Sequence, residues 1–188
     1  KRPKYRFKQR INRMKNLILV FLTTILLTGC TGMKIEDFNN TKPEFIPQDY
    51  FNGKLRAYGI VKDRSGKITR TFKGTMIGSW DKNGIGTLDE YFVYNDGEEM
   101  KRVWTLKPTQ DKKFIATAND IIGESPMIAN GNTVMLDYVM RTAYKDSTID
   151  LSVQDWLHLQ DDGVIINHSK LKKFGFVVGE IVITIIKD

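Results

Sequence analysis

The spacing of the turns is the feature that most limits what this chain can become. From Gly53 to the C-terminus, strand-length runs rich in β-branched and aromatic residues are cut at short intervals by Asp, Asn, Gly and Ser clusters. The runs are residues 54–62, 67–80, 85–94, 98–107, 113–118, 132–144, 149–160, 164–170 and 176–187. No 3.6-residue apolar stripe interrupts them. Prolines fall outside the runs, as ladder hydrogen bonding requires. Eight or nine antiparallel strands in one short domain must deal with their edges, and closing the sheet removes them. The expectation is an all-β, up-and-down antiparallel barrel of the lipocalin-like kind, with a two-sheet sandwich as the alternative. One long segment, residues 119–131, is apolar at Ile121, Ile122, Met127 and Ile128 and reads as a loop over a barrel mouth or a plug on the core. Gly175 and Gly179 mark a bend or bulge before the last strand.

The first 50 residues have a different character. An apolar run of 11 residues, 17–27, follows a basic stretch and ends at Leu27-Thr28-Gly29-Cys30. It is too short for a spanning helix, which needs about 20 residues, and it has the layout of a signal peptide. The motif resembles the lipobox of bacterial lipoproteins. That resemblance implies removal of residues 1–29, lipidation of Cys30 and attachment to the cell envelope. Met14 is the natural start, with residues 1–13 upstream of it. Thr31 after the cysteine, where Asp would retain the protein at the inner membrane, favours the outer membrane. Residues 30–50 then serve as anchor and tether, with apolar Phe45, Ile46, Tyr50 and Phe51 positioned to touch the body, and residues 51–188 form a single domain.

The leader also changes the meaning of the charge. The chain carries +7 overall, but the first 29 residues hold eight Lys or Arg and no acid. What remains is 21 cations against 22 anions, near −1, so the basic balance gives no reason to expect nucleic acid. Cys30 is the only cysteine, which excludes a disulfide, a thiolate metal site and a cysteine nucleophile in the domain.

One hairpin can be read residue by residue. Asn95-Asp96-Gly97 suits a three-residue loop with Gly97 in the left-handed region. That register sets Phe92 opposite Met100, Glu90 opposite Arg102 and Leu88 opposite Trp104, all on the greasier, inward face. A one-residue slip would invert both faces. A carboxylate and a guanidinium then face each other inside.

These residues carry a second resemblance. Leu88-Asp89-Glu90-x-Phe92-x-Tyr94-x-Asp96-Gly97-Glu98 with Arg102-x-Trp104 is similar to a set of bacterial envelope lipoproteins catalogued as a domain of unknown function. So are Asp155-Trp156, Leu159-Gln160-Asp161-Asp162-Gly163-Val164, Lys173-Phe174-Gly175 and Gly179-Glu180, with Tyr50-Phe51-x-Gly53 as the opening. The resemblance implies a lipoprotein with one mostly-β domain and no assigned activity. Its members tend to be encoded beside enzymes that modify membrane fatty acids, which is association only.

The candidate ligand-binding residues are Glu90, Phe92, Arg102, Trp104, Tyr138 and Trp156. Aromatic side chains would line a lipid pocket, and Glu90 with Arg102 would orient a polar head group. The plainer roles are core packing and a register-fixing ion pair. His158 and His168 flank the turn at Asp161-Asp162-Gly163 without a metal-ligand spacing, and the two aspartates suit turn geometry. No Walker loop, dinucleotide fingerprint or nucleophile elbow is present, so no cofactor, metal or catalytic residue is assigned. The leading expectation is a membrane-anchored lipoprotein holding a lipid or other apolar small molecule. A docking module for a protein partner would have a filled barrel. An enzyme acting on fatty acyl chains would have a cavity with a carboxyl of raised pKa.

Overall fold

The computed structural model describes residues 32–110 and 112–188. Cys30 and the leader lie outside the described residues. Ten strands follow in order: β1 (Gly53–Asp63), β2 (Ile68–Trp80), β3 (Gly86–Tyr94), β4 (Glu99–Pro108), β5 (Lys113–Ala118), β6 (Ser125–Asn130), β7 (Thr133–Tyr144), β8 (Ser147–Leu159), β9 (Ile165–Lys173) and β10 (Phe176–Lys187). Each pairs antiparallel with its sequence neighbours, and β1 closes onto β10 from Leu55↔Lys187 to Asp63↔Gly179. The barrel is the lipocalin-like, up-and-down one, and the sandwich alternative falls. Among the described residues, no helix is long and apolar enough to cross a membrane.

The strand count is ten rather than eight or nine. The difference is β6, which occupies the second half of the segment read as a loop. Its inward positions are Ser125, Met127 and Ala129, two of them small, while Ile128 faces away from them. Its hydropathy therefore does not alternate, and Pro126 near its start hides it further. The true loop is residues 119–124. It fills the wall above β5 and β6, which are only six residues each. Asn119 Oδ1 accepts from Val103 N of β4. On the other side, Ile122 N donates to Val139 O and Arg141 N to Asp120 O, both on β7.

The β3–β4 register is the expected one: Leu88↔Trp104, Glu90↔Arg102 and Phe92↔Met100. Gly97 has φ 88°, and Tyr94 N donates to Glu98 O at 2.9 Å across the turn. Near the start of β10 the register slips between Val177 and Gly179, a bulge at the expected place.

One end of the barrel is sealed. Residues from Ile35 onward, expected in part as tether, pack against it through a 3-10 turn (Ile35–Phe38) and a single-turn helix α1 (Pro47–Tyr50). Phe45, only 1% exposed, sits among Tyr50 and Phe51 with ring centroids 5.5–5.7 Å apart. Such rings each bury roughly 150–250 Å² and prefer these tilted contacts. Tyr50 Oη donates to Gly163 O (2.8 Å) and Ile185 O (3.1 Å), and Trp80 Nε1 donates to Phe51 O (2.8 Å). Gly78 allows this approach, since a Cβ there would meet Phe51 O at 2.2 Å. This is the floor. The opposite end carries the other hairpin tips, among them Phe174 and Phe176, 87% and 75% exposed.

Candidate functional site

Above the floor the barrel encloses a cavity of about 250 Å³. Its wall is mostly apolar, because alternate strand positions face inward and most of those positions are Leu, Met, Ile, Val or Phe. At mid-height, the waist, polar side chains interrupt the wall. Glu90 comes from β3, Arg102 and Trp104 from β4, Tyr138 from β7 and Asp155 from β8. Asn167 and Ser169 come from β9, and Asp120 from the wall-filling loop.

Arg102 is held chiefly by Asp120. Its Nε lies 2.9 and 3.0 Å from the two Asp120 carboxylate oxygens, and its Nη2 lies 2.6 Å from Oδ2. Nη2 also approaches Met140 Sδ at 3.3 Å. The expected partner, Glu90, is farther: Arg102 Nη1 is 3.9 Å from Glu90 Oε2. The guanidinium carbon lies 5.6 Å from the Trp104 ring. A separate group surrounds Asp155, whose Oδ1 accepts from Asn167 Nδ2 (2.5 Å) and Ser169 Oγ (2.7 Å). Tyr138 Oη donates to Asp155 Oδ2 at 3.4 Å, and its ring meets Trp104 edge-on at 5.5 Å.

Burial sets the acidities. Glu90 is 6% exposed, and burial pushes its carboxyl up to about 7, opposed by Arg102 and reinforced by the nearby Asp155 charge. Burial, then Asp155, raises the Tyr138 hydroxyl well above its ordinary value. Burial works against the Arg102 charge, yet Glu90 and Asp120 hold its pKa above the usual range. At the mouth a second arginine, Arg70, donates to Asp96 (2.8 Å) and Glu98 (2.9 Å) and lies 3.7 Å over the Tyr94 ring.

Of the six expected ligand residues, Glu90, Phe92, Arg102, Trp104 and Tyr138 line the cavity, and Trp156 does not. Asp155 and Leu157 face inward, so Trp156 between them faces out. It is buried there beneath Phe38 of the N-terminal segment, ring centroids 6.0 Å apart. Sequence reasoning missed Asp120, Asn167 and Ser169, and met Asp155 only in the Asp155-Trp156 motif. Alternation gave a usable signal for three of them: 151, 153, 155 and 157 on β8, and 165, 167, 169 and 171 on β9, share the inward parity. Nothing local marked Asp120.

The histidines stay apart in role. His158 Nδ1 lies 2.9 Å from Thr133 Oγ1, and His168 Nε2 lies 3.5 Å from Glu180 Oε2. Among the described residues, no three His, Cys, Asp or Glu side chains converge as a metal site. Asp162 Oδ1 accepts from Val164 N at 3.2 Å in a turn closed by Gly163 with φ 82°, as its turn reading requires.

The barrel is similar to a solved structure, that of the S-type phycobiliprotein lyase from Guillardia theta. The two superpose with a TM-score of 0.53 at 11% identity, over 83% of this chain and 93% of that one. At that identity the likeness speaks for the fold alone. A comparison with curated proteins finds no match. A family model described as "Protein of unknown function (DUF3833)" matches residues 24–187, and the chain accordingly belongs to that family.

Proposed function

We propose that this is an envelope lipoprotein that binds a small, mostly apolar molecule inside its barrel. The observation that carries the reading is the cavity itself: about 250 Å³ of apolar-walled space, sealed at the floor, with polar groups gathered at one height. Sites for small ligands have this character, a greasy wall and a few placed polar atoms. Glu90, Arg102, Trp104 and Tyr138 set the level at which the polar end sits, while Phe92 and its apolar neighbours hold the rest. Cys30, in its lipobox-like context, anchors the protein to the membrane, with the periplasmic face of the outer membrane as its address.

Native mass spectrometry of the protein expressed in a bacterial envelope tests both parts. A discrete extra mass that disappears on denaturation supports the carrier and identifies its cargo. A clean protein mass, still clean after exposure to envelope lipids, sinks it. Cys30→Ser should lose the acyl mass and leave the membrane fraction; a variant that stays membrane-bound would remove the anchor.

One observation favours a second reading, an enzyme acting on acyl chains. A carboxyl raised to about 7 in an enclosed site is poised for proton transfer near neutrality. Turnover of acyl substrates that tracks ionisation of Glu90 and vanishes in a folded Glu90→Gln would establish it. The partner-docking reading is weakened by the cavity, since it called for a filled barrel.

A further inference from the structure

We infer that the polar end of the ligand held at the waist is a hydrogen-bond donor without negative charge, an ammonium foremost, and not a carboxylate or phosphate. This rests on the carrier reading and specifies its cargo. In sequence, Arg102 inside a greasy barrel looks like a clamp for an anion. In the structure that clamp is already closed. Arg guanidinium recognises an oxyanion by offering two parallel N–H bonds. The Nε/Nη2 edge that would do so is taken by Asp120 at 2.6–3.0 Å. The remaining terminal nitrogen, Nη1, faces Glu90 at 3.9 Å.

The count of charges around the cavity points the same way. Glu90 and Asp120 flank Arg102 and Asp155 lines the same cavity, while Asp96 and Glu98, exposed at the rim, hold Arg70. Each guanidinium is shared by two acids, and Asp155 has only the neutral partners Tyr138, Asn167 and Ser169. An arriving carboxylate would meet surplus negative charge where water screens little. An arriving ammonium brings three donors and finds acceptors at Glu90 and Asp155. Trp104 and Tyr138, edge to face at 5.5 Å, offer ring surfaces that attract a cation and repel an anion. The raised pKa of Glu90 fits an incomplete site: its burial is matched only in part by Arg102, and a ligand cation would let it ionise.

The test is a matched series, octylamine, octanol and octanoate, titrated into the envelope-expressed full-length protein and read by native mass spectrometry at pH 8 and pH 5.5. The expected order is octylamine, then octanol, then octanoate, with at least a tenfold gap between the first and last. Octylamine should bind more tightly at pH 8, where Glu90 is ionised, than at pH 5.5; the amine itself stays cationic at both. The tenfold gap should collapse in Glu90→Gln and in Asp155→Asn, each checked for native circular dichroism. Should Asp155→Asn fail to fold, Glu90→Gln alone decides. Octanoate binding as tightly as octylamine overturns the inference and leaves the carrier standing. Absence of binding by all three also overturns it; if the protein carries no cargo from the envelope either, the carrier reading falls too.

Discussion

At the floor of the barrel, Tyr50 and Trp80 each bury a polar hydrogen and each gives it to a backbone carbonyl, of Gly163 and Ile185 in one case and of Phe51 in the other. At the waist, Glu90, Arg102, Asp120 and Asp155 bury ionisable groups against one another, with more acids than cations. The floor's polar atoms are neutral and paired, and the aromatic rings around them seal the barrel. Burial pushes the Tyr50 hydroxyl up to about 12, so it remains a donor at any ordinary pH. The waist's atoms are charged and unequal in number, and desolvating them opposes folding unless the pairing is complete. An apolar replacement would serve stability as well or better. The difference separates a floor whose polar atoms are matched within the fold from a waist whose charges are not, as the proposed ligand site requires.

Substitutions at the two levels can break or sharpen that contrast. The largest loss is expected for Arg102→Met, which leaves buried Glu90 and half-buried Asp120 without their cation, at a cost of about 3–5 kcal/mol in urea unfolding. The loss should shrink as pH is lowered toward 4, because protonated carboxyls can be buried uncharged. Phe45→Ala at the floor should cost a comparable amount, about 3–5 kcal/mol from cavity creation, but with no change across the same pH range. If both variants respond to pH alike, the contrast fails. Glu90→Gln should go the other way. The folded Glu90 pKa, about 7, lies above its ordinary value of 4.5, so the folded state binds the extra proton between them. Wild-type stability contributed by this group is therefore greatest below pH 4.5 and declines up to pH 7. Glu90→Gln should flatten that decline and be more stable than wild type at pH 8, by on the order of 3 kcal/mol. The smallest effect is expected for Tyr50→Phe, about 1 kcal/mol for a lost neutral hydrogen bond, read as a shift in thermal midpoint.

What the sequence revealed follows from where its signals are local. The β3–β4 hairpin was legible because Gly97 admits one turn geometry, and that turn carries Glu90 and Arg102 into register. The closed barrel followed from turn spacing and from the need to leave no edge. β6 was hidden because Ser125 and Ala129 occupy its inward positions, so no period-two pattern marks it. Trp156 misled because burial has two causes on one strand: the cavity on its inner face and Phe38 on its outer face. Asp120 was illegible for a different reason. It reaches Arg102 from an irregular segment 18 residues away, and no periodicity governs where such a segment lays its side chains.

That segment has a mechanical meaning. Elsewhere the barrel wall is a continuous ladder of backbone bonds, but between β4 and the upper part of β7 it is closed by residues 119–124, through Asn119 on one side and the backbones of Asp120 and Ile122 on the other. This is a seam, and Asp120 belongs both to the seam and to the charge cluster behind it. Parting the seam pulls Asp120 from Arg102, and neutralising Asp120 weakens the seam. The stitch in the wall and the interior's electrostatic balance are thus one structural element, so the wall cannot part at this place without separating the Asp120–Arg102 pair behind it.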